Sequence, residues 1–269
     1  MNRNLFRMDM KRNAANLITW IGVITILISV TMAVYPAFLA NQSKIMGMLT
    51  IIPKGALQFK GISNFTDLLS AVGFYAANNV IYMMVLGSIF SIVLASNIIL
   101  KEEYQKTAEF LFTWPLTRGE IFTGKMLVLL INILLLNLIT SAAGYISIKI
   151  VNPGTFNFRA FLTLSVYTFL LNLFFGALGM LLSTLVKKPR PITTFSIGLV
   201  LILYFIETIS KITEGISSIG YLSPFRYAPV NAAADSFRLE PLNVSYFIVL
   251  SVLFSVIAWA KFKRKDIYL

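Results

Sequence analysis

Six stretches of this chain are apolar and long enough to cross a lipid bilayer, and most of the polar positions fall between them. They run at about Leu17–Ala40, Ala76–Leu100, Ile121–Ile148, Phe161–Val186, Ile192–Ile209 and Val244–Ala260. A helix rises about 1.5 Å per residue, so some twenty apolar residues cross a hydrocarbon core of about 30 Å. The pattern predicts an all-α, polytopic membrane protein with six transmembrane helices in a single domain over residues 1–269, since no Pro/Gly/Ser linker divides it. The apolar patch Ile45–Ile52 is too short to cross and ends at Pro53 and Gly55. Some amphipathic helix is expected around Phe65–Val72 in the same loop. Residues 1–16 carry Arg3, Arg7 and Lys11 at four-residue spacing, which predicts an N-terminal interfacial helix; a frayed basic tail is the alternative.

Composition agrees with this pattern. Hydrophobic residues make up 57% and charged residues 13% of the chain, against about a quarter charged in a soluble domain. There is no Cys and no His, which removes thiol chemistry, imidazole bases and nearly every zinc site. The net charge of +12 could suggest nucleic acid, but its distribution points to a membrane surface and no nucleic-acid partner is expected. Of the 23 Lys and Arg residues, 14 fall in the termini and in the loops after the second and fourth spans, and Lys125 at the near end of the third span makes 15. By the positive-inside rule those segments are cytoplasmic, with both termini inside. Trp20 and Trp259 then lie near inner ends, and Tyr35, Tyr145 and Tyr246 near outer ends, as interface anchors.

The loop after the second span, residues 101–120, is the most patterned polar stretch. On a helix from Tyr104, the residues Tyr104, Thr107, Ala108, Leu111 and Trp114 share one side, and Lys106, Glu109 and Thr113 the other. Pro115 stops that helix. Thr117 and Glu120 have the spacing of a capping box, so a new helix is predicted to start there. The result is an amphipathic helix across the base of two spans. Its aromatic anchor and charged rim are what a specific interface needs.

Glu103, Thr107, Ala108, Glu109, Leu111, Pro115, Arg118 and Lys125 form a pattern that resembles the cytoplasmic loop of type-2 ABC transporter permeases, the membrane subunits of bacterial ABC exporters. The Leu222-Ser223-Pro224-Phe225 turn and the order of spans are also similar to that family. The resemblance implies a coupling helix that docks on a separate ATPase subunit, carried here by Glu103, Tyr104, Thr107, Glu109, Leu111, Trp114 and Arg118. It further implies a second permease copy, most simply a homodimer, in the bacterial cytoplasmic membrane. ATP and magnesium would sit on the ATPase, with no cofactor on this chain.

Other constellations have simpler readings. Gly119–Met126 approaches the phosphate-loop pattern, but Met126 replaces the magnesium-binding hydroxyl and no strand precedes it. Lys125 is expected to snorkel to lipid phosphates. Gly87, Ser91 and Ala95 recur every four residues, which predicts close helix packing, either at a dimer seam or within one subunit. Asn97, Asn132, Asn137 and Asn172 line a polar route or join helices. Glu207 is the one acid inside a predicted span, with Lys211 one turn later; the two form an outer gate or a paired snorkel.

The function expected is that of an ATP-driven export permease carrying an amphipathic peptide, a lipid-like molecule or a hydrophobic drug, with peptide favoured. The alternatives are an ion-coupled secondary transporter, or an intramembrane acid-based enzyme using Glu102, Glu103 or Glu207.

Overall fold

The computed structural model describes residues 3–44, 68–104, 117–186, 189–213, 215–228 and 238–264, and these contain helices and turns without strands. Helix α1 spans Arg3–Ala33 and is followed by the short α2, Tyr35–Ala40, with Pro36 in its first turn. Helix α3, Ala71–Tyr75, passes through a π-helical turn at Ala76–Val80 into α4, Ile81–Tyr104. Then come α5 at Arg118–Val151, α6 at Phe158–Leu185, α7 at Pro189–Ile212 and α8 at Pro241–Arg264. Six helical segments are long and apolar enough to cross a membrane.

The N-terminal residues are helical, but not as a separate interfacial helix. Arg3–Ala33 is one unbroken helix of 31 residues, about 46 Å at 1.5 Å per residue. That exceeds the hydrocarbon core by several turns, so its first part extends past the apolar layer. The second crossing also starts earlier than the apolar pattern suggested. Ser70 caps α3 by accepting from the Gly73 amide at 3.0 Å, and Ala71–Tyr75 are all buried. The described part of the expected Phe65–Val72 helix is therefore the buried start of the second span. Residues 45–67 lie outside the described segments.

Helices α4 and α6 form the centre of the bundle. α4 packs on α6, α7 and α5; α6 packs on α4, α8 and α5; α1 lies along α5. The central pair approach closely because small residues face each other. A Cβ on Gly179 of α6 would stand 2.6 Å from the Ile92 carbonyl and 2.8 Å from Ala95 Cβ. One on Gly87 of α4 would stand 2.5 Å from Asn172 Nδ2. The Gly87–Ser91–Ala95 stripe thus meets α6 of the same chain, and the dimer-seam reading of it is set aside.

With no water in the hydrocarbon, backbone and amide groups find partners inside the protein. Ser88 Oγ donates to Asn172 Oδ1 at 3.3 Å, and Asn172 Nδ2 donates to Asn137 Oδ1 at 3.2 Å, linking α4, α6 and α5. Asn97 Nδ2 donates to Thr193 Oγ1 at 3.0 Å and ties α4 to α7. The span amides join helices. Such bonds contribute about 0.6–2 kcal/mol each.

Between α7 and α8 the chain dips back into the bundle. Two 3₁₀ turns, Ser217–Leu222 and Pro224–Tyr227, flank the fully buried Ser223. Ser223 Oγ donates to the Leu203 carbonyl at 2.7 Å and accepts from the Phe225 amide at 3.2 Å. Phe225 packs between Phe175 of α6 and Tyr204 of α7, with ring centroids 5.6 and 5.5 Å away. Leu203 lies about 14 Å along α7 from Ile212 at 1.5 Å per residue. Irregular backbone at that depth is tolerated because protein surrounds it.

Candidate functional site

One end of the bundle gathers the end of α4 and the starts of α1 and α5 with the end of α8. Glu103 and Tyr104 belong to the last turn of α4, so this helix continues past Leu100 and the loop is shorter than residues 101–120. Thr107, Glu109, Leu111 and Trp114 lie outside the described residues. At the start of α5 the predicted capping box is present. Thr117 Oγ1 accepts from the Glu120 amide at 3.3 Å, and Glu120 Oε2 accepts from the Thr117 amide at 3.1 Å. This fixes where α5 starts and therefore where the loop is anchored. Arg118 Nη1 then donates to the Lys263 carbonyl at 3.3 Å, joining the start of α5 to the end of α8. Lys263 Nζ stands 3.6 Å from the Trp259 ring centroid.

Lys125 does not snorkel. It is 1% exposed, donates to the Ile98 carbonyl of α4 at 2.9 Å, and lies 3.6 Å from the Asp9 carboxylate of α1. Asp9 is itself fully buried, with Arg12 on its other side at 3.6 Å. Lys125 cannot reach lipid because α1 covers it. Three helices are therefore joined by one charged contact a few turns from the loop: α1 through Asp9, α4 through Ile98 and α5 through Lys125. Sequence reasoning missed this junction. The signal was present, since Asp9 is the lone acid in residues 1–66 and Lys125 sits inside an apolar run. Residues 119–126 are helical throughout, which is not the geometry of a phosphate loop.

The opposite end carries the other singled-out pair. Glu207 is buried and Lys211 Nζ lies 3.0 Å from its Oε1, one helical turn away as the spacing predicted. The returning segment completes the cluster. A Cβ on Gly220 would stand 2.8 Å from Glu207 Oε2 and 2.5 Å from Arg226 Nη1, and would also meet Ser210 Oγ. Arg226 Nη1 donates to the Ser217 carbonyl at 3.0 Å, and its guanidinium lies 4.0 Å from the Tyr221 ring centroid. The Phe225-Arg226-Tyr227 run is thus committed to intramolecular contacts. Tyr227 stacks on Tyr246 of α8 at 3.9 Å. At this end an acid and two cations close over the bundle; at the other, a capped helix start and a buried ion pair hold the ends of a patterned loop.

A bundle of long apolar helices, its central helices knit by amides, is a multi-pass membrane protein. The model of the ABC-2 family transporter proteins matches residues 3–267, nearly the whole chain, and the protein belongs to that family. It is a membrane permease of an ABC transporter, a transport component and not itself the catalyst. A comparison with curated proteins returned no match.

Proposed function

We propose that this permease is the membrane half of an ATP-driven exporter and is driven through the loop between α4 and α5 by a separate ABC ATPase. The observation that carries the reading is the anchoring of that loop. Its far end is fixed by the Thr117–Glu120 capping box and the Arg118–Lys263 contact, and both its flanking helices meet at Lys125. A push on a loop held in this way moves α4 and α5 as rods, and α1 with them through Asp9. The gripping residues are Glu103, Tyr104, Thr107, Glu109, Leu111, Trp114 and Arg118. ATP and magnesium belong to the ATPase.

The excess of Lys and Arg at this end supports a cytoplasmic orientation with both termini inside, and the resemblance to bacterial export permeases supports a bacterial cytoplasmic membrane. The route forms between two copies of the chain, and Glu207 with Lys211 acts as its outer gate. The apolar lining of the spans suits an amphipathic peptide above a lipid-like molecule or hydrophobic drug. An ion-coupled carrier would need more buried ionisable groups than the pairs seen here.

The test is a pair of substitutions, Glu109→Ala and Trp114→Ala, in the permease reconstituted with its ATPase. Transport is expected to fall while ATP hydrolysis persists and membrane insertion is unchanged. Full transport by either variant, or by the permease with no ATPase attached, overturns the reading.

A further inference from the structure

An apolar groove of about 210 Å³ runs between α5, α6 and α8. On α5 it is lined by Phe122, Met126 and Ile133, spaced so that they share one helix face. On α8 it is lined by Ser255, Ser251 and Ile248, again one face. From Phe122 to Ile133 the groove extends about 16 Å at 1.5 Å per residue, close to half of a hydrocarbon core of about 30 Å. It therefore spans one leaflet.

Both stripes continue, one to two turns further, into cations and an interface aromatic. Four residues before Phe122 stands Arg118. Four and eight residues after Ser255 stand Trp259 and Lys263. The structure brings these three together: Arg118 bonds the Lys263 carbonyl, and Lys263 lies over the Trp259 ring. Lys261 and Arg264 are exposed on the same last turn. The ring contact between Phe122 and Phe262, 5.6 Å between centroids, forms the floor of this mouth. An apolar slot one leaflet long, opening under a cluster of basic side chains, has the charge and shape of one lipid molecule.

We infer that the α5–α6–α8 groove is a binding site for an anionic phospholipid of the leaflet at the basic end, with an acyl chain in the slot and the phosphate against Lys263. The occupant is a resident lipid and not cargo, because the slot spans one leaflet and ends under the cations instead of crossing the bilayer. The lipid would brace the start of α5, the helix that anchors the patterned loop.

The test uses the intact chain in nanodiscs. Substituting Trp20→Phe and Trp114→Phe leaves Trp259 as the only indole. Its fluorescence is quenched with chain-brominated phosphatidylglycerol or with chain-brominated phosphatidylcholine at equal mole fraction. A basic residue near the surface favours an anionic lipid by about five-fold, so phosphatidylglycerol is expected to quench at several-fold lower mole fraction. Lys263→Gln should bring the two lipids close together. Ser251→Phe, which fills the slot and removes a hydroxyl that makes no hydrogen bond, should do the same with every cation intact. Ile248→Phe is the second filler, on an exposed position where folding is not at stake. Equal quenching by both lipids in the parent protein overturns the site. So does a preference that survives both fillers, because the cations would then act as a bare charged surface.

Discussion

The two ends of the bundle each hold a carboxylate–lysine pair, used in different ways. At one end Asp9 and Lys125 belong to different helices, are both almost wholly buried, and the Lys125 ammonium also holds a backbone carbonyl of a third helix. At the other end Glu207 and Lys211 sit one turn apart on α7, and the Lys211 side chain is 45% exposed. A pair within one helix forms almost wherever that helix forms, so it says little about tertiary structure. A buried pair across helices exists only when the helices are in register. Burial also sets the cost of losing it, since water cannot take the place of the missing partner. The loop end is thus built as a rigid junction, and the far end as a cover that can be loosened.

That contrast can be broken experimentally. The largest effect is expected at the junction. Asp9→Ala leaves the buried Lys125 ammonium without that counter-charge and should cost about 3–5 kcal/mol in unfolding from mixed micelles. The double variant Asp9→Leu with Lys125→Met should recover most of that loss, because no buried charge remains. An Asp9→Ala variant as stable as the parent would show that the pair does not strap α1 to α5. A smaller loss, about 1–2 kcal/mol, is expected from Ser223→Ala, which removes the bond holding the returning segment to the Leu203 carbonyl. The smallest belongs to Lys211→Gln. Solvent screens this half-exposed cation, and Arg226 stands close to the same carboxylate, so the change should be about 1 kcal/mol or less in the same assay. A larger loss from Lys211→Gln than from Asp9→Ala would invert the comparison.

The same distinction explains what could be read in the sequence. Local signals were legible. Long apolar runs gave six helices, threonine and glutamate at three-residue spacing gave the capping box, and a four-residue spacing gave the Glu207–Lys211 pair. Tertiary partners were not. Nothing local connects Asp9 to a lysine on α5, and Lys125 read on its own was a snorkelling cation. The Gly87–Ser91–Ala95 stripe announced close packing without naming α6 as its partner. The returning segment from Ser217 to Tyr227 consists of short 3₁₀ turns with no long apolar run, so hydropathy left it between the fifth and sixth spans. The continuity of α1 was hidden because charge in its first turns suggested a separate interfacial element. The family pattern supplied the loop's function, and residues such as Thr107, Glu109, Leu111 and Trp114 owe their assigned roles mostly to it, with the amphipathic pattern of the loop beside it.

The account depends most on something gripping the loop between α4 and α5 from the cytoplasm. A photoactivatable amino acid in place of Leu111, irradiated in intact cells, tests that directly. The expected product is an adduct between this chain and an ABC ATPase, strongest at Leu111 and absent when the same probe replaces Ile248 within the membrane. No ATPase adduct from Leu111, or labelling of that position by a reagent confined to the cell exterior, would contradict it.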